Sequence, residues 1–188
     1  MTSDGADRQS AMAWRLEASD FELFDVPARF ALDRATLDAR WRASMARVHP
    51  DRFAAGSAAE QCAAMQWAIR FNQAYDRLKT PLSRAAYLCE LNGHRVDAET
   101  STAMAPAFLV QVMEWREALD RARGPGAIQA LADEASACRL GLLDDLAALI
   151  DLSHDWTAAA ATVRALMFVA RFEQEIERRA DSAARLDD

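Results

Sequence analysis

Residues 48–53 read VHPDRF, and they interrupt a chain otherwise rich in helix formers. Upstream, Leu37, Trp41, Met45 and Val48 recur at helical spacing behind a candidate N-cap, Asp33, which predicts a helix over 34–48. Pro50 cannot continue that helix. It has no amide hydrogen, and it pushes His49 out of the helical region. The helix therefore ends near Val48, and His49, Pro50 and Asp51 are displayed on a loop running to about residue 57. Downstream, Ser57-Ala58-Ala59-Glu60 forms a capping box. It opens a helix that carries Met65, Ile69, Asn72, Tyr75 and Leu78 to about residue 79. Two antiparallel helices thus hold a rigid, exposed tip. Arg40 and Arg47 lie about 20° apart around the first helix, to one side of its apolar stripe. With Arg52 they make a local positive surface.

Working outward, residues 20–26 predict a short apolar helical turn closed by Pro27. Thr80-Pro81 starts a further helix, 81–92, and Gly93 ends it. Residues 93–104 are polar and small, without apolar period, and read as a linker. Three longer amphipathic stretches follow, at roughly 105–122, 126–151 and 155–180. Gly124-Pro125-Gly126 separates the first two and Leu152-Ser153-His154 the second two. Short connections between long helices imply antiparallel neighbours, so a three-helix bundle is expected over 105–182. No strand pattern and no internal repeat is evident. The fold class is all-α, with residues 1–18 expected as a flexible tail and 19–92 as the first domain.

The chain has 188 residues, enough for two small domains with cores. Hydrophobic residues make up 52% and charged residues 27%, which fits a soluble globular protein. A formal net charge of −7 and a pI near 5.0 argue against a general nucleic-acid binder. No apolar run approaches the roughly 20 residues of a membrane span. The first residues lack the basic start and apolar stretch of a secretory signal, and Asp4, Asp7 and Glu17 weaken a mitochondrial presequence. Cys62, Cys89 and Cys138 are odd in number and widely spaced, without a CxxC pair. Neither a zinc site nor a disulfide framework is supported. Buried thiols in a reducing compartment are expected, and no metal or cofactor.

A helix with a basic face, an HPD loop and a helix ending in Asn72-Gln73-Ala74-Tyr75 resembles the J-domain of DnaK-type co-chaperones. The resemblance implies that His49, Pro50 and Asp51 dock on the ATP-bound chaperone and accelerate its ATP hydrolysis. Asp51 would meet a cation, and Arg40, Arg47 and Arg52 acidic residues of that partner. Further motifs narrow the family. LFDVPARFALD (23–33), HPDRFAAGSAAEQ (49–61), NQAYDRLKTPLSRAAYL (72–88), AFL (107–109) and WREALD (115–120) resemble the HscB iron–sulfur co-chaperones. The resemblance runs from about Phe21 to Arg178. It implies two partners, an HscA-type chaperone of the DnaK family and an IscU-type iron–sulfur scaffold, with no nucleic acid and no membrane.

On the helix beginning near Ala105, Phe108, Val112, Trp115 and Leu119 share one narrow sector and suit a core. Leu109, Val110 and Met113 fall outside it, with Glu114 and Glu117 nearby. Two readings stay open on the wheel alone: a partner-binding patch or a widened core stripe. The family resemblance implies the first, with Leu109, Val110, Met113, Glu114, Glu117 and Phe168 as the scaffold-binding surface. Phe168 projects away from the Trp156, Val163, Met167 and Ala170 face. Arg121 departs from the family's acidic pattern one turn further on. The absence of cysteines before Cys62 departs from members with an N-terminal zinc module. A J-domain protein with a different client is the alternative. A small hydrolase using His49 and Asp51 is another, but no nucleophile motif, phosphate loop or metal spacing accompanies the pair. The composition and acidic N-terminal region point to a bacterial cytoplasm.

Overall fold

Ser19 and Glu22 set the entry into the first helix. The Ser19 amide donates to Glu22 Oε2 at 2.7 Å, and the Glu22 amide to Ser19 Oγ at 3.3 Å. This reciprocal cap satisfies two otherwise orphaned amides and starts α1 (Asp20–Leu23). The computed structural model describes residues 17–96 and 106–184, with seven α-helices and no strand among them. Most of the tail expected over 1–18 and most of the linker expected over 93–104 fall outside those residues. The others are α2 (Arg34–Arg47), α3 (Ala58–Lys79), α4 (Pro81–Leu91), α5 (Pro106–Arg121), α6 (Pro125–Ala148) and α7 (Trp156–Ala184).

The chain packs as two compact units that divide inside α4, between Arg84 and Ala85. The sequence reading closes the first domain later, at residue 92. In the first unit α2 and α3 are antiparallel, since their pairings run in opposite order. Arg34 bonds the Lys79 carbonyl at 2.8 Å and the Tyr75 hydroxyl at 2.6 Å. Further along, Trp41 stacks on Tyr75 and donates to Asn72 Oδ1 at 3.1 Å. Asp38 accepts from both Arg34 and Tyr75, and those two donors hold its carboxyl below the usual carboxylate range.

α1 packs on the other side of α3. Asp20 is wholly buried and pairs with Arg70 at 2.7 Å and Arg77 at 2.9 Å, while Phe24 meets Phe71 at 5.9 Å between ring centroids. The core face of α3 is therefore Ala64, Trp67, Phe71, Ala74 and Leu78. Met65 and Ile69, expected on the helix's apolar stripe, are 62% and 53% exposed. Cys62, expected to be buried, is also exposed. Cys89 is buried and Cys138 half-buried, and burial pushes both thiols up, Cys89 to about 11. α4 ends as Gly93 predicts. Its φ is +81°, and the His94 and Gly93 amides close back on the Cys89 and Glu90 carbonyls.

In the second unit α5, α6 and α7 share one core of Trp115, Leu119, Ala122, Ile128, Leu131, Ala135, Val169, Phe172 and Ile176. Trp115 stacks on Phe172 with centroids 5.2 Å apart. The buried face of α7 is thus Val163, Leu166, Val169, Phe172 and Ile176. Trp156, Met167 and Ala170, expected on that face beside Val163, are half-buried. The break expected at 152–154 begins earlier. α6 widens into a π-turn over Leu149–Ser153, and His154 adopts φ +54° with its Nδ1 2.7 Å from the Ile150 carbonyl.

Candidate interaction sites

The end of α2 is fixed by Val48, only 2% exposed, whose amide donates to the Met45 carbonyl. His49 then takes φ −59°, ψ 132°, the extended conformation that a following proline demands. Pro50–Phe53 form one 3-10 turn rather than an open loop. The His49 carbonyl accepts from the Arg52 amide at 3.0 Å, and His49 Nδ1 accepts from the Asp51 amide at 3.3 Å. From α3, Gln61 Nε2 donates to the Gly56 carbonyl at 3.2 Å and ties the connection down. The Asp51 side chain is 91% exposed and that of His49 58%. An outward-pointing carboxylate on a hydrogen-bonded turn results.

Arg47 and Arg52 are exposed beside this turn. Arg40, counted from sequence among the docking cations, is exposed but already holds Asp25 at 3.2 Å. Asp25 reaches that position from a left-handed φ of +50° just after α1. The positive surface is therefore concentrated nearer the turn than the sequence suggests. His49 Nδ1 and Asp51 Oδ2 are 3.6 Å apart, outside hydrogen-bond range. Among the described residues no acidic, histidine and cysteine cluster could hold a metal.

The second candidate surface lies on α5. Val112, Trp115 and Leu119 are buried while Leu109, Val110 and Met113 are 39%, 54% and 63% exposed. The widened-core reading fails, because these three side chains face away from the packed sector. Glu114 and Glu117 are exposed beside them. Arg121 donates to Glu117, so one acidic group of the patch is internally paired. Phe168 is half-buried, with the Arg171 guanidinium 6.0 Å from its ring centroid. It stands one turn before Phe172, the ring that stacks on Trp115.

One feature was legible as a motif but not as a task. Arg84, in KTPLSRAAYL, is 7% exposed and donates to the Phe30 carbonyl at 2.8 Å and the Leu78 carbonyl at 2.7 Å. It locks the segment after α1 to the end of α3.

Residues 104–177 match the family model described as the HSCB C-terminal oligomerisation domain. A co-chaperone protein HscB homolog of Bordetella parapertussis is 52% identical over 157 residues, 83% of this chain and 92% of that protein. A homolog of the same name from Burkholderia thailandensis is 52% identical over 164 residues, 86% of this chain and 93% of its own. Chaperone HscB from Vibrio cholerae superposes with a TM-score of 0.78 at 36% identity, covering 88% of this chain and 99% of that one. Human co-chaperone protein HscB gives 0.84 at 26% identity, covering 89% and 84%. With the HPD turn, the helical second unit and half-identical relatives over most of its length, this chain belongs to the HscB family of iron–sulfur cluster co-chaperones.

Proposed function

We propose that this co-chaperone recruits an IscU-type scaffold on α5 and delivers it to an HscA-type chaperone that docks on the HPD turn. Asp51 meets a cation of the chaperone, and Arg47, Arg52 and Arg40 its acidic residues. Leu109, Val110, Met113, Glu114, Glu117 and Phe168 hold the scaffold. The J-domain spans 19–92, and the scaffold-binding bundle 105–182. The protein works in the bacterial cytoplasm and performs no covalent chemistry itself. It favours the chaperone state that grips the client, which is a coupling of two binding equilibria. Holding both partners on one chain also raises their effective concentration.

The observation that carries this reading is the orientation of α5. Three large apolar side chains turn outward on a helix whose opposite face fills a core. Such a patch rimmed by carboxylates suits a protein partner. The test is calorimetry with the scaffold. Leu109→Ala with Phe168→Ala is expected to weaken binding by about 2–4 kcal/mol, the range for buried interface anchors. Chaperone stimulation without scaffold should stay as it was. Unchanged scaffold affinity would remove these residues from the interface.

A further inference from the structure

The Asp51 amide is the first donor of the 3-10 turn, because Pro50 has none. A turn's first donors need a side-chain acceptor or water. Here the acceptor is His49 Nδ1, at 3.3 Å. We propose that His49 is a positioning residue that acts through Asp51: its neutral imidazole caps the turn and thereby aims the Asp51 carboxylate outward. The inference rests on the chaperone-docking reading above and assigns one residue of that surface its chemistry.

Accepting at Nδ1 requires that nitrogen to be bare, so the proton sits on Nε2. A second proton converts Nδ1 into a donor. It then confronts the Asp51 amide and lies 3.6 Å from Asp51 Oδ2, drawing inward the group that is to be presented. The charged residues of the flanking segments are Arg47 at the end of α2, Asp51 and Arg52 in the turn, and Glu60 at the start of α3. The Glu60 carboxylate accepts from the Ser57 amide and hydroxyl at 2.7 and 2.9 Å. Asp51 lies within ion-pair range of the ring.

Two substitutions separate capping from direct contact. In His49→Asn the amide oxygen stands where Nδ1 stood, and asparagine is a good cap. In His49→Gln the side-chain amide stands where Nε2 stood. If the imidazole caps, Asn keeps stimulation of the chaperone ATPase within about twofold. Gln lowers it about fivefold, the factor equal to about 1 kcal/mol, a typical cap. The ratio of wild type to Asn should fall on acidification, as the imidazole takes up its second proton. Retention by Gln with loss by Asn, equal loss in both, or no loss in either would overturn the proposal. In the free protein, the Asp51 amide resonance should follow the imidazole titration in wild type and not in His49→Asn. Independence in wild type would also overturn it. A wild type that fails to stimulate the chaperone would sink the docking reading, and the amide titration would still decide the cap.

Discussion

Arg84 lies in the first turn of α4 with its guanidinium 5.4 Å from the Phe30 ring centroid and two backbone carbonyls on its donors. Replacing it with methionine keeps most of the apolar stem and takes the Arg84 donor from the Leu78 carbonyl, while the Phe30 carbonyl still accepts from the Leu32 amide at 2.9 Å. A buried acceptor that loses its donor costs about 1–3 kcal/mol. Urea unfolding of Arg84→Met should therefore show a loss of about 1–3 kcal/mol, and a loss under about 0.5 kcal/mol would contradict the assigned work. Arg121 differs in kind. It is exposed, and it quenches Glu117 at the edge of the proposed scaffold patch. Arg121→Ala should tighten scaffold binding modestly, by a few-fold at low salt. The gain should shrink as salt screens it. An affinity that does not move in titrations at either salt concentration would place the scaffold away from this edge.

On α3 the sequence admits two helical stripes. Ala64, Trp67, Phe71, Ala74 and Leu78 form one; Met65, Ile69 and Asn72 lie along another. Periodicity alone does not rank them, because both satisfy the same three-and-four spacing. The choice is made by α1, which brings Asp20 to Arg70 and Arg77 and Phe24 to Phe71. That is tertiary information carried by a four-residue helix. Phe71→Ala should cost about 3–5 kcal/mol. Met65→Gln with Ile69→Gln should change stability by less than about 0.5 kcal/mol. Comparable losses on chemical denaturation would mean that the outer stripe is packed after all. The same logic explains α7. Its wheel offers Met167 and Ala170 as plausible core residues, yet the stacking of Phe172 on Trp115 turns the buried sector toward Leu166 and Val169. By contrast, the ends of α2, α3 and α4 were readable in advance, because Pro50, the Ser57–Glu60 box and Gly93 act locally.

For the whole molecule, the all-helical fold and the HPD turn were legible, since each rests on local signals. The division of the packing inside α4 was not, because no composition change marks Arg84 and Ala85. The pairing of Arg40 with Asp25 was also hidden, as it joins residues brought together only by the fold. The second surface was half legible. A wheel separates Val112 and Trp115 from Val110 and Met113, but exposure was needed to decide that the latter pair is uncovered. Two surfaces in two packing units are what an adaptor needs. Their coupling is tested most directly by the steady-state ATPase of an HscA-type chaperone, alone, with the scaffold, with this protein, and with both. This protein should stimulate alone, and together with the scaffold it should stimulate well beyond the sum of the separate effects. Asp51→Asn should abolish the response while leaving scaffold affinity nearly unchanged. Stimulation indifferent to the scaffold, or none at all, would contradict the account.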